Sequence, residues 1–336
     1  MRKISMGLVA LGAAASMALA ACASPGTSTT APAPGGSASG QPSASGEKPY
    51  IAIISKGFQH QFWQAVKQGA EQQAEKDGVT ITFDGPATEA EVEAQMNMLT
   101  SALAKKPAAL GFAALDSQAA APVLQQYQDA NIPVVAFDSG VDSDIPVTTA
   151  ATDNKAAAGE AAKHMCELVG GAGTVGVMVH DQTSRTGQDR RDGFLEGMKA
   201  NCPNVKVLEP QYGKGDPNVS ADIASSIIEA NKDLKGIFLA NEGTAIGGIK
   251  ATQQKGMAGK IVLIGFDSGN DQINAINDGT MAGAITQNPV GIGEQVVAAA
   301  VKTLNGETVP KVIDTGYYWY DKTNIDDEKI QAVLYK

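Results

Sequence analysis

From Tyr50 onward, short apolar runs alternate with longer stretches whose apolar residues recur at helical spacing. Tyr50–Ser55 (YIAIIS) reads as a strand, and Phe62–Lys76 as a helix with Phe62, Ala65, Val66, Gly69 and Ala70 on one side. Thr80–Phe83 is the next strand. Ala90–Ala104 spaces Val92, Met96, Leu99 and Leu103 as a helix does. Ala109–Ala113 is a strand, 118–130 a helix, and Ile132–Phe137 (IPVVAF) a strand that ends this half at Asp138. The rhythm then restarts. Helices are expected over Lys155–Val169, Asp189–Ala200, Ala221–Ala230 and Thr244–Lys255. Strands are expected over Thr174–Val179, Val205–Leu208, Gly236–Leu239 and Ile261–Phe266. Strands alternating with helices in this way are expected to be covered on both faces. That is the mark of parallel sheets in an α/β protein.

The two halves echo each other. Ile132–Phe137 and Ile261–Phe266 both run into Phe-Asp-Ser-Gly, at Phe137–Gly140 and Phe266–Gly269. Ligands of open α/β sheets bind beyond the carboxyl ends of the strands. Two such halves facing each other would put Asp138 and Asp267 on opposite walls of one cleft. Asp-Ser-Gly is also ordinary turn chemistry, but the duplication favours the cleft.

The chain before this folded part is different. Arg2 and Lys3 precede a small-residue apolar run that closes at Leu19-Ala20-Ala21-Cys22. This is the pattern of an export signal over 1–21. Its last four residues resemble a bacterial lipobox, in which the cysteine thiol is lipidated and becomes the new N-terminus. The run is interrupted by Gly12 and Ser16 and is too short for a membrane span. Residues 22–47 are then expected to be the lipidated cysteine and a flexible linker, since 23–46 carry no charge and nothing apolar larger than alanine or proline.

About 290 residues remain, enough for two medium domains. The net charge of −10 and the absence of any long basic run argue against nucleic acid as a partner. Outside the cytoplasm Cys166 and Cys202 have the chance to pair. Their spacing alone leaves a disulfide and two reduced buried thiols equally open.

Several segments in a fixed order now carry a resemblance. They are Phe62–Ala70, Asn131–Val135 leading to Asp138, Ala151–Asn154, Arg191–Phe194, Ala240–Glu242, Ile264–Asp267 and Ala284–Pro289. Together they resemble the type I periplasmic sugar-binding proteins, the ribose/galactose-type substrate-binding components of bacterial ABC importers. The likeness spans 48 to about 320. It implies two doubly wound parallel-sheet lobes joined by a three-crossing hinge. The N-terminal lobe would be 48–152 plus 288–313, and the C-terminal lobe 153–287 plus 314–336. The same fold serves repressors of the lactose type, but those begin with a helix-turn-helix.

The resemblance also implies a site. Phe62 and Trp63 match the family's aromatic pair, with Trp63 the first choice for packing on a sugar ring. His60 stands where the family often has asparagine, and His180 ends a strand where it could border the cleft. Asp138 and Asp267 match the two cleft carboxylates, and Asn241 and Gln287 match cleft amides. Tyr212 is the candidate second aromatic wall. Ribose-type members carry arginines where this chain has Ser139 and Gln188, which argues against ribose. Arg190 or Arg185 could reach in from the polar loop expected over Ser184–Arg190. The turn Phe83–Pro86 is similar to that of autoinducer-2- and rhamnose-binding relatives.

Other chemistry is not supported. Gly171–Gly176 spells G-x-G-x-x-G but precedes a strand instead of following one, so it cannot cradle a phosphate. There is no P-loop, no HExxH and no G-x-S-x-G. Asp326–Glu328 reads as a solvated charge run. The expectation is a monomeric, lipid-anchored binding protein, not an enzyme, with no cofactor and no metal. It would deliver a carbohydrate-like ligand to an ABC permease and its ATPase. The alternative is a sensor, including one for an autoinducer-2-like ligand, that reports to a chemoreceptor or kinase.

Overall fold

The computed structural model describes residues 48–336. The expected export signal, lipidation at Cys22 and linker lie outside the described residues.

The chain starts with β1 (Tyr50–Ile54), α1 (Gln61–Asp77), β2 (Thr80–Asp84), α2 (Val92–Ala104), β3 (Ala109–Phe112), α3 (Ala121–Asp129), β4 (Val134–Phe137) and β5 (Thr148–Ala151). It continues with α4 (Asn154–Val169), β6 (Gly173–Val179), α5 (Arg185–Asn201), β7 (Val205–Val207), β8 (Gln211–Tyr212), α6 (Pro217–Ala230), β9 (Leu234–Leu239), α7 (Glu242–Gln254), β10 (Val262–Phe266), α8 (Asn270–Asp278) and β11 (Gly283–Gln287). It closes with α9 (Pro289–Leu304), β12 (Val312–Asp314), β13 (Tyr317–Tyr320) and the short α10 (Glu328–Gln331).

Two sheets result. The first has strand order β12-β5-β4-β3-β1-β2, and the second β13-β11-β10-β9-β6-β7 with β8 also paired to β6. The chain passes from one sheet to the other after β5, after β11 and after β12. Burial on both faces fixes this architecture. In β1, Ile51 and Ile53 face the apolar cluster under α1 and α9, while Ala52 and Ile54 face the one under α2 and α3. The alternation has the two-residue period of a strand, with apolar residues on both sides. Helices α1 and α9 pack closely because Gly69 and Gly293 have no Cβ. A Cβ at either would run into the backbone of the other helix.

The structure corrects three expectations. Helix α5 begins at Arg185, not Asp189, because Ser184 accepts a bond from the Gly187 amide and caps it. The polar stretch read as a loop is therefore the first turn of a helix. Helix α6 begins at Pro217, capped by Asp216, whose side chain accepts from the Asn218 and Val219 amides. The second sheet is not wholly parallel: β13 runs antiparallel beside β11, with Ala284 opposite Tyr320.

Cys166 on α4 and Cys202 at the end of α5 form a disulfide, with Cα atoms 5.7 Å apart. It ties together two helices that already share the cluster around Phe194 and Phe238. Among the described residues no helix is long and apolar enough to cross a membrane, and no cluster of three or more His, Cys, Asp or Glu could hold a metal.

Candidate functional site

The carboxyl ends of both sheets face one narrow cavity whose water-sized space is only about 20 Å³, room for about one water. The first sheet and its helices supply Lys56, His60, Phe62, Trp63, Glu89 and Asp138. The second supplies His180, Thr186, Arg190, Asn241, Asp267 and Gln287.

The duplicated Asp-Ser-Gly segments have the same backbone design. Asp138 and Asp267 adopt left-handed φ angles of 53° and 80°. Each donates its amide hydrogen to the strand alongside, Asp138 to the Ala150 carbonyl at 2.9 Å and Asp267 to the Ile285 carbonyl at 2.7 Å. The turn out of each strand thus aims a carboxylate between the sheets.

Their surroundings differ. Asp267 is well supported. Its Oδ1 accepts from Gln287 Nε2 at 2.6 Å, its Oδ2 accepts from the Glu242 amide at 2.9 Å, and Arg190 Nη1 lies 3.8 Å from Oδ2. Arg190 is itself fixed by bonds to Asn154 Oδ1 and the Ala240 carbonyl, with its guanidinium 3.7 Å over the Phe266 ring. Asp138 is buried, and no donor among the described residues bonds its carboxylate. Burial therefore pushes its pKa up to about 7; Lys56 and Arg190 oppose the rise, while Glu89 and Asp267 add to it.

Lys56 reaches from the first sheet to the second. Its Nζ donates to Thr186 Oγ1 at 3.1 Å and lies 3.8 Å from Asp181 Oδ2. For Glu89, burial works to raise the pKa, but the charge of Lys56 first, with His60 beside it and a bond from Trp63 Nε1, outweighs it and holds the carboxyl low. For His180, burial first and Lys56 second push the pKa down to about 3, so the ring is neutral. Its Nε2 meets Thr186 Oγ1 at 3.1 Å, while its Nδ1 has no partner. Gln287 Oε1 is likewise buried and unpartnered. Buried polar atoms are usually satisfied, and these two lie on residues that line the cavity.

The sequence pattern of the periplasmic binding protein domain matches residues 51–308. The chain belongs to this family. It is 30% identical over 274 residues to the ribose import binding protein RbsB of Escherichia coli K12, covering 78% of this chain and 87% of that one. A solute-binding protein of an Agrobacterium vitis ABC transporter, solved with bound D-fucose, superposes with a TM-score of 0.83 at 38% identity, covering 85% of this chain and all of the other. A second one from the same organism, solved with alpha-D-tagatopyranose, gives a TM-score of 0.83 at 29% identity, covering 86% and 100% of the two chains.

In this periplasmic binding protein the candidates separate into two groups. His60, Phe62, Trp63, Asp138, Arg190, Asn241, Asp267 and Gln287 all line the cavity. Phe62 and Trp63 meet edge to face and belong to the apolar core as well as the cavity wall. Three candidates do not line it. Ser139 is wholly buried beside Asp138, its hydroxyl without a partner. Gln188 lies on the first turn of α5, and its amide donates outward to the Thr183 carbonyl. Tyr212 is held opposite Val179 by β8 and lines an outer opening beside His180. Arg185, the alternative to Arg190, is half exposed and pairs with Asp142 and Asp189. Lys56, Glu89 and Thr186 are cavity residues that the sequence did not single out. Lys56 alone left a trace there, as a charge directly after an apolar strand.

Proposed function

We propose that this protein is an extracytoplasmic solute-binding protein that takes up one sugar-sized carbohydrate between its two lobes and delivers it to an ABC permease. The observation that carries the reading is the unsatisfied polar lining. Gln287 Oε1 and His180 Nδ1 are buried without a partner among the described residues, and the Asp138 carboxylate lines the same cavity. A polyhydroxylated molecule supplies both donors and acceptors for such groups, and a carboxylate can take more than one hydroxyl. Trp63 and Phe62 offer the ring C–H face an apolar wall. The relatives with bound sugars support the same class.

The lobes of this reading are 48–152 plus 288–313 and 153–287 plus 314–336, opening and closing on the three crossings as a hinge. The protein acts as a monomer tethered through lipidated Cys22. Cys22→Ser should move it from the membrane fraction to the soluble fraction; persistence on membranes would rule the anchor out.

The direct test of function is a thermal-melt panel of pentoses, hexoses, 6-deoxyhexoses, ketohexoses and polyols. Ligand at a hundred times Kd stabilises by about 2.7 kcal/mol, a rise of roughly 4–5 °C at this chain length. One sugar class should give that rise. No shift with any compound, and no sugar released on denaturing the purified protein, would end the carbohydrate reading.

A further inference from the structure

We propose that Glu242 is an interlobe latch, a positioning residue outside the sugar cavity that holds the closed arrangement by capping the first helix of the opposite lobe. The proposal rests on the reading of the protein as a two-lobed receptor.

Helix α1 starts without support of its own. His60 at its N-cap makes no side-chain cap bond, and its first turn holds no acidic residue. The first amides of a helix have no partner within it, and together they carry partial positive charge. In α1 the partner comes from the other lobe. The Gln61 amide donates to Glu242 Oε1 at 3.0 Å, and the Phe62 amide donates to Glu242 Oε2 at 3.1 Å. Glu242 is the first residue of α7 and is 4% exposed. The Tyr335 hydroxyl donates to its Oε2 at 3.2 Å. A second contact lies beside it: the Asn270 amide, first in α8, donates to Gln61 Oε1 at 2.9 Å. The starts of three helices from two lobes therefore meet at one point.

The latch is also joined to the site. The amide of Glu242 itself bonds Asp267, which lines the cavity, while the Glu242 side chain does not reach the cavity. Burial pushes the Glu242 carboxyl upward and Asp267 adds to this, against His60 and the two α1 amides. If the lobes separate, water can take over both α1 amides. If they close without Glu242, both amides are buried bare, which is costly. Only the closed state needs this side chain, so it biases the equilibrium toward closure.

The test is stopped-flow binding of the panel sugar that stabilises the parent most. Glu242→Ala should speed dissociation on the order of 10- to 100-fold, with association within about twofold of the parent. Glu242→Gln keeps one acceptor oxygen but sets its NH2 against the other α1 amide, so it should recover only part of the slow dissociation. Parent-like dissociation in Glu242→Ala would overturn the latch. So would a fall in association alone. Absence of binding by the parent to every sugar would instead remove the receptor reading on which the latch rests.

Discussion

Replacing Asp267 with alanine is expected to weaken sugar binding by about 10²- to 10³-fold and to destabilise the fold at the same time. Both effects come from one cluster. The Asp267 carboxylate accepts from Gln287 and from the Glu242 amide, and it faces Arg190 across 3.8 Å. Arg190 and Asp267 are both almost completely buried. Removing the acid strands the guanidinium in the interior, and breaking a buried pair typically costs about 3–5 kcal/mol. Lost charge-assisted bonds to ligand hydroxyls account for the affinity, at about 1.5–3 kcal/mol each. Calorimetric titration reads the first effect and urea unfolding of the empty protein the second. Parent affinity in the variant would show that Asp267 does not touch the ligand.

The Asp138→Asn change is expected to split binding from stability. Sugar affinity should fall about 10- to 100-fold, since a neutral amide accepts more weakly than a carboxylate. The empty protein, however, should become more stable at pH 8. The sign follows from linkage. The buried carboxyl has a pKa near 7 against 3.8 when free. Its stabilising contribution is therefore complete below about 4 and is lost as pH rises through 7. A shift of roughly three pH units sets an upper bound of about 4 kcal/mol, part of which the parent relieves by letting water reach the cleft. The melting gap between variant and parent should be large at pH 8 and close toward pH 4. His180 titrates in both proteins and drops out of the difference. A gap that does not change with pH would refute the buried, unpartnered state of Asp138. Asparagine tolerates the left-handed backbone at 138, so strain does not cloud the comparison.

What the sequence disclosed was whatever repeats locally. Apolar strands such as Tyr50–Ile54 and Val262–Phe266 were legible because burial on both faces leaves an uninterrupted hydrophobic run. Asp138 and Asp267 were legible because the same four-residue signature follows both strands. The start of α5 was hidden, since its first two turns face a polar cavity and carry Thr186 and Arg190 where an apolar stripe would otherwise show. Tyr212 was misplaced because a two-residue pairing with β6 decides its position, and no local pattern announces that pairing. Lys56 and Glu89 entered the site through contacts with His180 and Thr186, more than ninety residues away in sequence. Such charges look like ordinary solvated residues until the second lobe is laid over them.

The left-handed turns at Asp138 and Asp267 bear on how this receptor can diverge. Few residues other than glycine, asparagine and aspartate sit comfortably at such φ values, and a β-branched side chain there is a true outlier. Drift at these two positions is thus screened by the backbone before any sugar is tested. Descendants that acquire a new diet must change elsewhere, at Lys56, His60, Trp63 or Glu89, where the φ angles are not left-handed. The two acids form the inherited frame of the cleft, and the residues facing them are the part that selection can rewrite.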